Sequence, residues 1–190
     1  MSDTIPAPFA LIVVDVQRGF ANTAHWGPRN NPDCESNIAL LLEAWREQRQ
    51  PVVFVRHDSK EPDSPLRPGT TGNAFQPCLT GTPDLLVTKS VNSAFYGEPD
   101  LHAWLQDREI RDIAICGITT NHCCESTARM GANLGYNVYF VLDATHTHAR
   151  RALDGAMLEA AQIARVSAAN LQDEFAEVIT TQEAVFLVDE

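Results

Sequence analysis

The feature that most constrains this chain is the apolar run Phe9-Ala10-Leu11-Ile12-Val13-Val14, closed by a carboxylate, Asp15. It has strand length, and a strand without polar alternation is one buried on both faces, as in a parallel sheet. Val52–Val55, Leu85–Val87, Ile113–Cys116 and Val138–Leu142 repeat the type, and Glu177–Thr180 predicts a short sixth strand. Helical patterns lie between them. Ile38, Leu41, Leu42 and Trp45 share one face, with Pro51 as the stop, and Leu101, Trp104 and Leu105 mark another helix. A small-residue helix runs from about His122 to Leu134 and ends at Gly135, and a long helical region covers about Arg151 to Phe175. The alternation predicts one domain over residues 1–190, Rossmann-like, a three-layer α/β/α fold around a mostly parallel six-stranded sheet. The stretch from Arg56 to Pro83, rich in Pro, Gly, Ser, Thr and Asp, is a long loop of the kind that carries function.

In such folds ligands bind where the strands end. The residues just past the strands are Asp15, then Arg56 and His57, then Lys89, then the Gly117–Cys124 turn, and Asp143 through His148. The partner expected there is a small molecule. Lys and Arg number 14 against 25 Asp and Glu, and a net charge of −11 repels phosphate backbones, which argues against nucleic acid. No apolar run approaches the ~18 residues of a membrane span. Met1-Ser2-Asp3-Thr4 shows no basic stretch leading into an apolar one, so a cytoplasmic location is expected. Five cysteines, an odd number, do not form a disulfide scaffold in a chain of this size.

Cys123 and Cys124 open a helix, where free N–H groups and a partial positive charge lower a thiol's pKa and can hold an oxyanion. The helical register puts Cys124, Ala128, Gly131 and Ala132 on the sheet-facing side and leaves Cys123 nearer the turn. Cys116, inside a strand, reads as inert, and Lys89, two residues past an apolar run, would favour a neighbouring thiolate. Asp15 is either a cap or salt-bridge partner, or a base.

The segment Gly117-Ile118-Thr119-Thr120-Asn121-His122-Cys123-Cys124-Glu125-Ser126-Thr127-Ala128-Arg129 resembles the nucleophile segment of the isochorismatase-like cysteine hydrolases, a superfamily that includes nicotinamidases, N-carbamoyl amide hydrolases and ureidoacrylate hydrolases. Leu11–Gln17 resembles that family's first strand, and Val87-Thr88-Lys89-Ser90-Val91-Asn92-Ser93-Ala94-Phe95 its lysine segment. The resemblance implies a triad of Asp15, Lys89 and Cys123, with Asp15 carrying the thiol proton and Lys89 holding Asp15 and the thiolate. It implies a cis Ile118–Thr119 peptide and an oxyanion hole built from the backbone N–H groups of Thr119 and Cys123. It also implies a homo-oligomer, dimer or tetramer, and no cofactor.

Nicotinamidases of the family carry an Asp and several His ligands after the second strand. Here that stretch reads Arg56-His57-Asp58-Ser59-Lys60, with no further His before His102, so the metal is not carried over. Asn121 stands where many relatives have Asp and keeps its capping ability. Substrate contacts are expected from Gln17, Phe20, Arg56, His57, Phe95 and Asn121, with Trp26, Phe75 and Tyr96 as further pocket walls. His122 supports the nucleophile from beside it, and His146 and His148 read as loop residues. The expectation is a metal-independent cysteine hydrolase acting on a C–N bond of a small amide or ureido compound through a thioester. The alternatives are vinyl-ether hydrolysis with Asp15 as general acid, a thiol redox or binding protein, and, more weakly, a dinucleotide-binding domain.

Overall fold

The apolar runs assemble into a six-stranded, all-parallel sheet in the spatial order Leu85–Lys89, Val52–His57, Phe9–Val14, Asp112–Ile118, Asn137–His146 and Glu177–Ile179, in a computed structural model that describes residues 8–189. The reading of Met1–Thr4 lies outside the described residues. In chain order the elements are β1 (Phe9–Val14), α1 (Thr23–Trp26), α2 (Cys34–Glu47), β2 (Val52–His57), β3 (Leu85–Lys89), α3 (Leu101–Gln106), β4 (Asp112–Ile118), α4 (Glu125–Asn133), β5 (Asn137–His146), β6 (Arg150–Arg151), β7 (Met157–Leu158), α5 (Ala160–Leu171), β8 (Glu177–Ile179) and α6 (Thr181–Asp189). Among the described residues no helix is long and apolar enough to cross a membrane.

Every residue of β1 is buried, and its period-two alternation feeds two cores. Phe9, Leu11 and Val13 pack with Ile38, Leu41, Leu42 and Trp45 of α2 and with Ala184 and Val188 of α6. Ala10, Ile12 and Val14 pack on the other face with Leu101 and Leu105 of α3, Ala128 of α4 and Leu171 of α5. The α2 residues form one helical stripe, and Trp45 Nε1 donates to the Phe9 carbonyl at 2.7 Å, which satisfies its polar atom inside the core.

The structure corrects several expectations. The helical region from Arg151 to Phe175 is a small hairpin, β6 paired antiparallel with β7, followed by the shorter α5. The helix expected from His122 is α4 preceded by a widened π-type turn over Thr120–Cys124. A register shift between Ile115 and Gly117 lets β5 run on to pair Thr145 and His146 with β4. His146 is consequently the last residue of β5 and not a loop residue, whereas His148 lies in the connection to β6 as expected; both are buried, at 0% and 2% exposure. Gly135 does end its helix in a left-handed conformation, φ 88°.

Candidate active site

Sheet register brings the chemistry together. Val14 lies beside Val55 on one side and Gly117 on the other, and His57 is the direct neighbour of Lys89. Asp15, His57 and Lys89 therefore leave three adjacent strands at one edge, and the turn after β4 adds Cys123. Gly117 permits this convergence. Its φ is +124°, and a Cβ there would stand 2.0 Å from the Val14 carbonyl oxygen, so only glycine lets β4 pass that close to the end of β1. Asp15 is itself left-handed, φ 52°, a conformation Asp adopts more readily than most residues. The Ile118–Thr119 peptide is cis.

The Lys89 ammonium donates to Asp15 Oδ2 at 2.6 Å, and both side chains are fully buried. Asp15 Oδ1 is buried and has no protein partner among the described residues. One ligand-capable atom each from Asp15, His57 and Cys123 lie within 4.8 Å of one another. Burial works against the Lys89 charge, but Asp15 and then Cys123 outweigh it, and the lysine pKa stands above its ordinary value. Cys123 differs from expectation. Burial, and next the Asp15 charge, push its thiol well up, although Lys89 pulls it down. The turn's position at a helix start does not offset that desolvation.

The backbone of Cys123 is fixed from two directions. In the widened turn Cys124 N–H reaches back five residues to the Thr119 carbonyl, 3.3 Å, a local expansion common at functional sites. Thr127 Oγ1 donates to the Cys123 carbonyl at 2.7 Å and accepts from Ala94 N–H at 3.0 Å, tying Cys123 to the segment after Lys89. Cys124 and Ala128 are at 0% exposure and Gly131 is buried, as the register argument predicts, while Ala132 is only half-buried.

Of the expected substrate contacts, only His57 joins this cluster. Gln17 is fully buried, and its amide is spent on the backbone of His57 and Asn73, so the contact expected of it is corrected to a structural clamp. Phe20, at 4% exposure, packs on Trp26 at 5.0 Å between ring centroids and belongs to the core. Arg56 pairs with Asp58 at 3.0 Å. Phe95 is half-buried and stacks on Tyr136 at 5.7 Å. Asn121 does not cap its turn: its Oδ1 accepts from the Thr147 hydroxyl. His122 faces Arg150, 3.4 Å away. Sequence reasoning passed over Thr127 and also Asn92, an exposed residue whose Oδ1 is 4.0 Å from Cys123 Sγ. The only signal for either is a polar side chain within a few residues of Lys89 or Cys123.

Asp15, His57 and Cys123 have donor types that could hold a divalent ion. The Lys89 ammonium, however, already bonds two of the three, at 2.6 Å to Asp15 and 3.2 Å to His57. The cluster carries its own cation, and a proton-transfer assembly fits it better than a metal cage.

A family model for the isochorismatase domain matches residues 9–183. The uncharacterized isochorismatase family protein YrdC of Bacillus subtilis (strain 168) is 39% identical over 177 residues, covering 93% of this chain and 94% of that one. Nicotinamidase 3 of Arabidopsis thaliana is 32% identical over 153 residues, 73% of each chain. Among solved structures, an isochorismatase-family protein from Chromobacterium violaceum ATCC 12472 superimposes with a TM-score of 0.90 at 33% identity, over 96% of this chain and 94% of that one. By sequence and by fold, the chain belongs to the isochorismatase family of hydrolases.

Proposed function

We propose that the chain hydrolyses a C–N bond of a small amide or ureido compound through a thioester on Cys123, with Asp15 as proton carrier and no metal in the reaction. The observation that carries this reading is the division of labour on Asp15. One oxygen is neutralised by Lys89, while the other is buried, without a partner among the described residues, in a cluster with the Cys123 thiol. The thiol's raised pKa makes a base necessary, and an oriented carboxylate supplies one.

In the first half-reaction Asp15 takes the thiol proton as sulfur bonds to the acyl carbon, and the carbonyl pair moves onto oxygen. The backbone N–H groups of Thr119 and Cys123 are the proposed donors to that oxyanion. The adduct collapses, the C–N bond breaks, and Asp15 returns its proton to the nitrogen, which leaves as amine or ammonia. In the second half water attacks the thioester, again losing a proton to Asp15. The C–S bond breaks and the proton goes back to sulfur. Two moderate displacements replace one hard one. The nicotinamidase relative supports an amide as the substrate class.

A panel of small amides and ureido compounds, read by ammonia release with wild type and Cys123→Ala, tests the proposal. Turnover abolished in Cys123→Ala is the expected result. Ammonia release that survives in Cys123→Ala overturns the thioester route, and turnover of a vinyl ether by that variant would make Asp15 a general acid instead.

A further inference from the structure

Lys89 Nζ is 3.2 Å from His57 Nδ1 as well as 2.6 Å from Asp15 Oδ2. An ammonium has three donors and no acceptor, so the imidazole nitrogen is the acceptor. His57 is then neutral at Nδ1 and carries its proton on Nε2. The ring is mounted with unusual care for a residue at the mouth of a long loop. Its backbone N–H donates to Gln17 Oε1 at 2.8 Å, and its carbonyl accepts from Gln17 Nε2 at 3.0 Å and Asn73 Nδ2 at 3.2 Å. Gln17 Nε2 also donates to the Asn73 carbonyl at 2.9 Å, and Asn73 Nδ2 to the Leu66 carbonyl at 2.8 Å. The loop between β2 and β3 is thus folded back to hold the end of β2.

We propose that His57 is a positioning residue: its Nδ1 lone pair, together with Asp15 Oδ2, fixes the direction of the Lys89 ammonium, and protonation of the ring releases that hold. The inference rests on the Asp15–Lys89–Cys123 reading given above. The charged and titratable groups facing the ring are Lys89 from β3, Asp15 from the end of β1, Asp58 on its own segment and Cys123 from the turn after β4. Burial and then Lys89 push its pKa below 6.5, against Asp15 and Asp58. The neutral, holding form therefore exists above that lowered pKa and is lost as pH falls through it. Below it the ring has no lone pair at Nδ1, and two cations face each other across the contact. The charged ring would itself favour a thiolate, but a Lys89 turned away from Asp15 no longer supports proton transfer from Cys123, and nucleophilicity drops on the acid side.

The test follows carbamidomethylation of Cys123 by iodoacetamide across pH, with half-buried Cys78 as internal reference in the same mass spectra. Wild type should show an acid step below pH 6.5 that Cys78 lacks. His57→Phe, which has no acceptor, should label Cys123 about tenfold more slowly. His57→Asn places Oδ1 where Nδ1 stood and does not titrate, so it should label faster than His57→Phe and show no acid step. An unchanged acid step in His57→Asn, or wild-type behaviour of His57→Phe, overturns the proposal. If both variants misfold by circular dichroism, long-range proton–nitrogen NMR of the wild type decides: an unprotonated Nδ1 at about pH 8 is expected, and a protonated Nδ1 refutes it. Ammonia release separates the two levels, since full turnover in Asp15→Asn sinks the triad reading whatever His57 does.

Discussion

Lys89 Nζ and Asp15 Oδ2 are 2.6 Å apart with neither side chain reached by solvent. A buried pair of this kind is poor evidence of stabilisation, because desolving two charges offsets most of their attraction. Removing one partner is a different matter, since it strands the other charge. Asp15→Asn and Lys89→Met should each cost ~3–5 kcal/mol in urea unfolding and lower kcat/KM at least ~10²-fold. The double variant should regain most of the stability and none of the activity. Stability losses that simply add in the double variant would show the two groups to be independent.

A second expectation concerns Gly117. Alanine there combines a left-handed φ with a Cβ only 2.0 Å from the Val14 carbonyl oxygen, a backbone atom that can move only by parting β4 from β1. Gly117→Ala should lose ~3 kcal/mol or more and most activity together, as Val14 leads directly into Asp15. Gly155 is the control. Its φ is +89° but no described residue beyond its chain neighbours lies within 4 Å of its Cβ position, so Gly155→Ala should cost only ~1–2 kcal/mol. Equal thermal shifts for the two variants would mean that the close approach contributes nothing.

The places where sequence and structure agree, and where they part, have a common physical basis. Asp15, Lys89 and Cys123 were legible because each follows an apolar strand, and a parallel sheet sends the ends of such strands to one edge. Gln17 was misread because its role depends on Asn73, distant in sequence and brought close by a loop with no periodicity. The stretch around Arg151 looked helical by composition, yet Asp154-Gly155 is a hairpin signal, and Gly155 adopts φ 89° between β6 and β7. His146 entered the sheet through a register shift that no local pattern announces. The Cys123 pKa went the wrong way because helix position is local, whereas desolvation and the Asp15 charge come from tertiary packing.

Chelation should leave activity intact. The potential donors Asp15, His57 and Cys123 are already bridged by Lys89, which bonds two of them. Exhaustive EDTA dialysis followed by the ammonia assay is the measurement. Activity lost on dialysis and restored by zinc, manganese or iron would show that a cation other than Lys89 works in the cluster.

The last prediction concerns acid stability and comes from His146, a residue the proposed chemistry does not use. Its ring is at 0% exposure, and neither nitrogen has a partner among the described residues. Its pKa is lowered to about 3, by burial first and next by the Arg29 charge, with His148 also contributing. The folded chain therefore keeps this ring neutral, while the unfolded chain protonates it near the ordinary 6.5. Unfolded molecules bind the extra proton between those two values, so the stability contribution is complete above about pH 6.5 and declines progressively as pH falls toward 3. His146→Leu fills a similar volume and has no titration to link. Its melting temperature should hold up better than wild type's as pH is lowered through that window, and the gap between the two curves should widen toward the acid end. His148→Leu is the useful contrast, because it removes a ring whose Nδ1 lies 3.2 Å from the Gly27 carbonyl oxygen, and it should destabilise at neutral pH by ~1 kcal/mol. Melting curves of wild type and His146→Leu that stay parallel across the window would show that the His146 ring titrates alike in both states and is not held neutral by the fold.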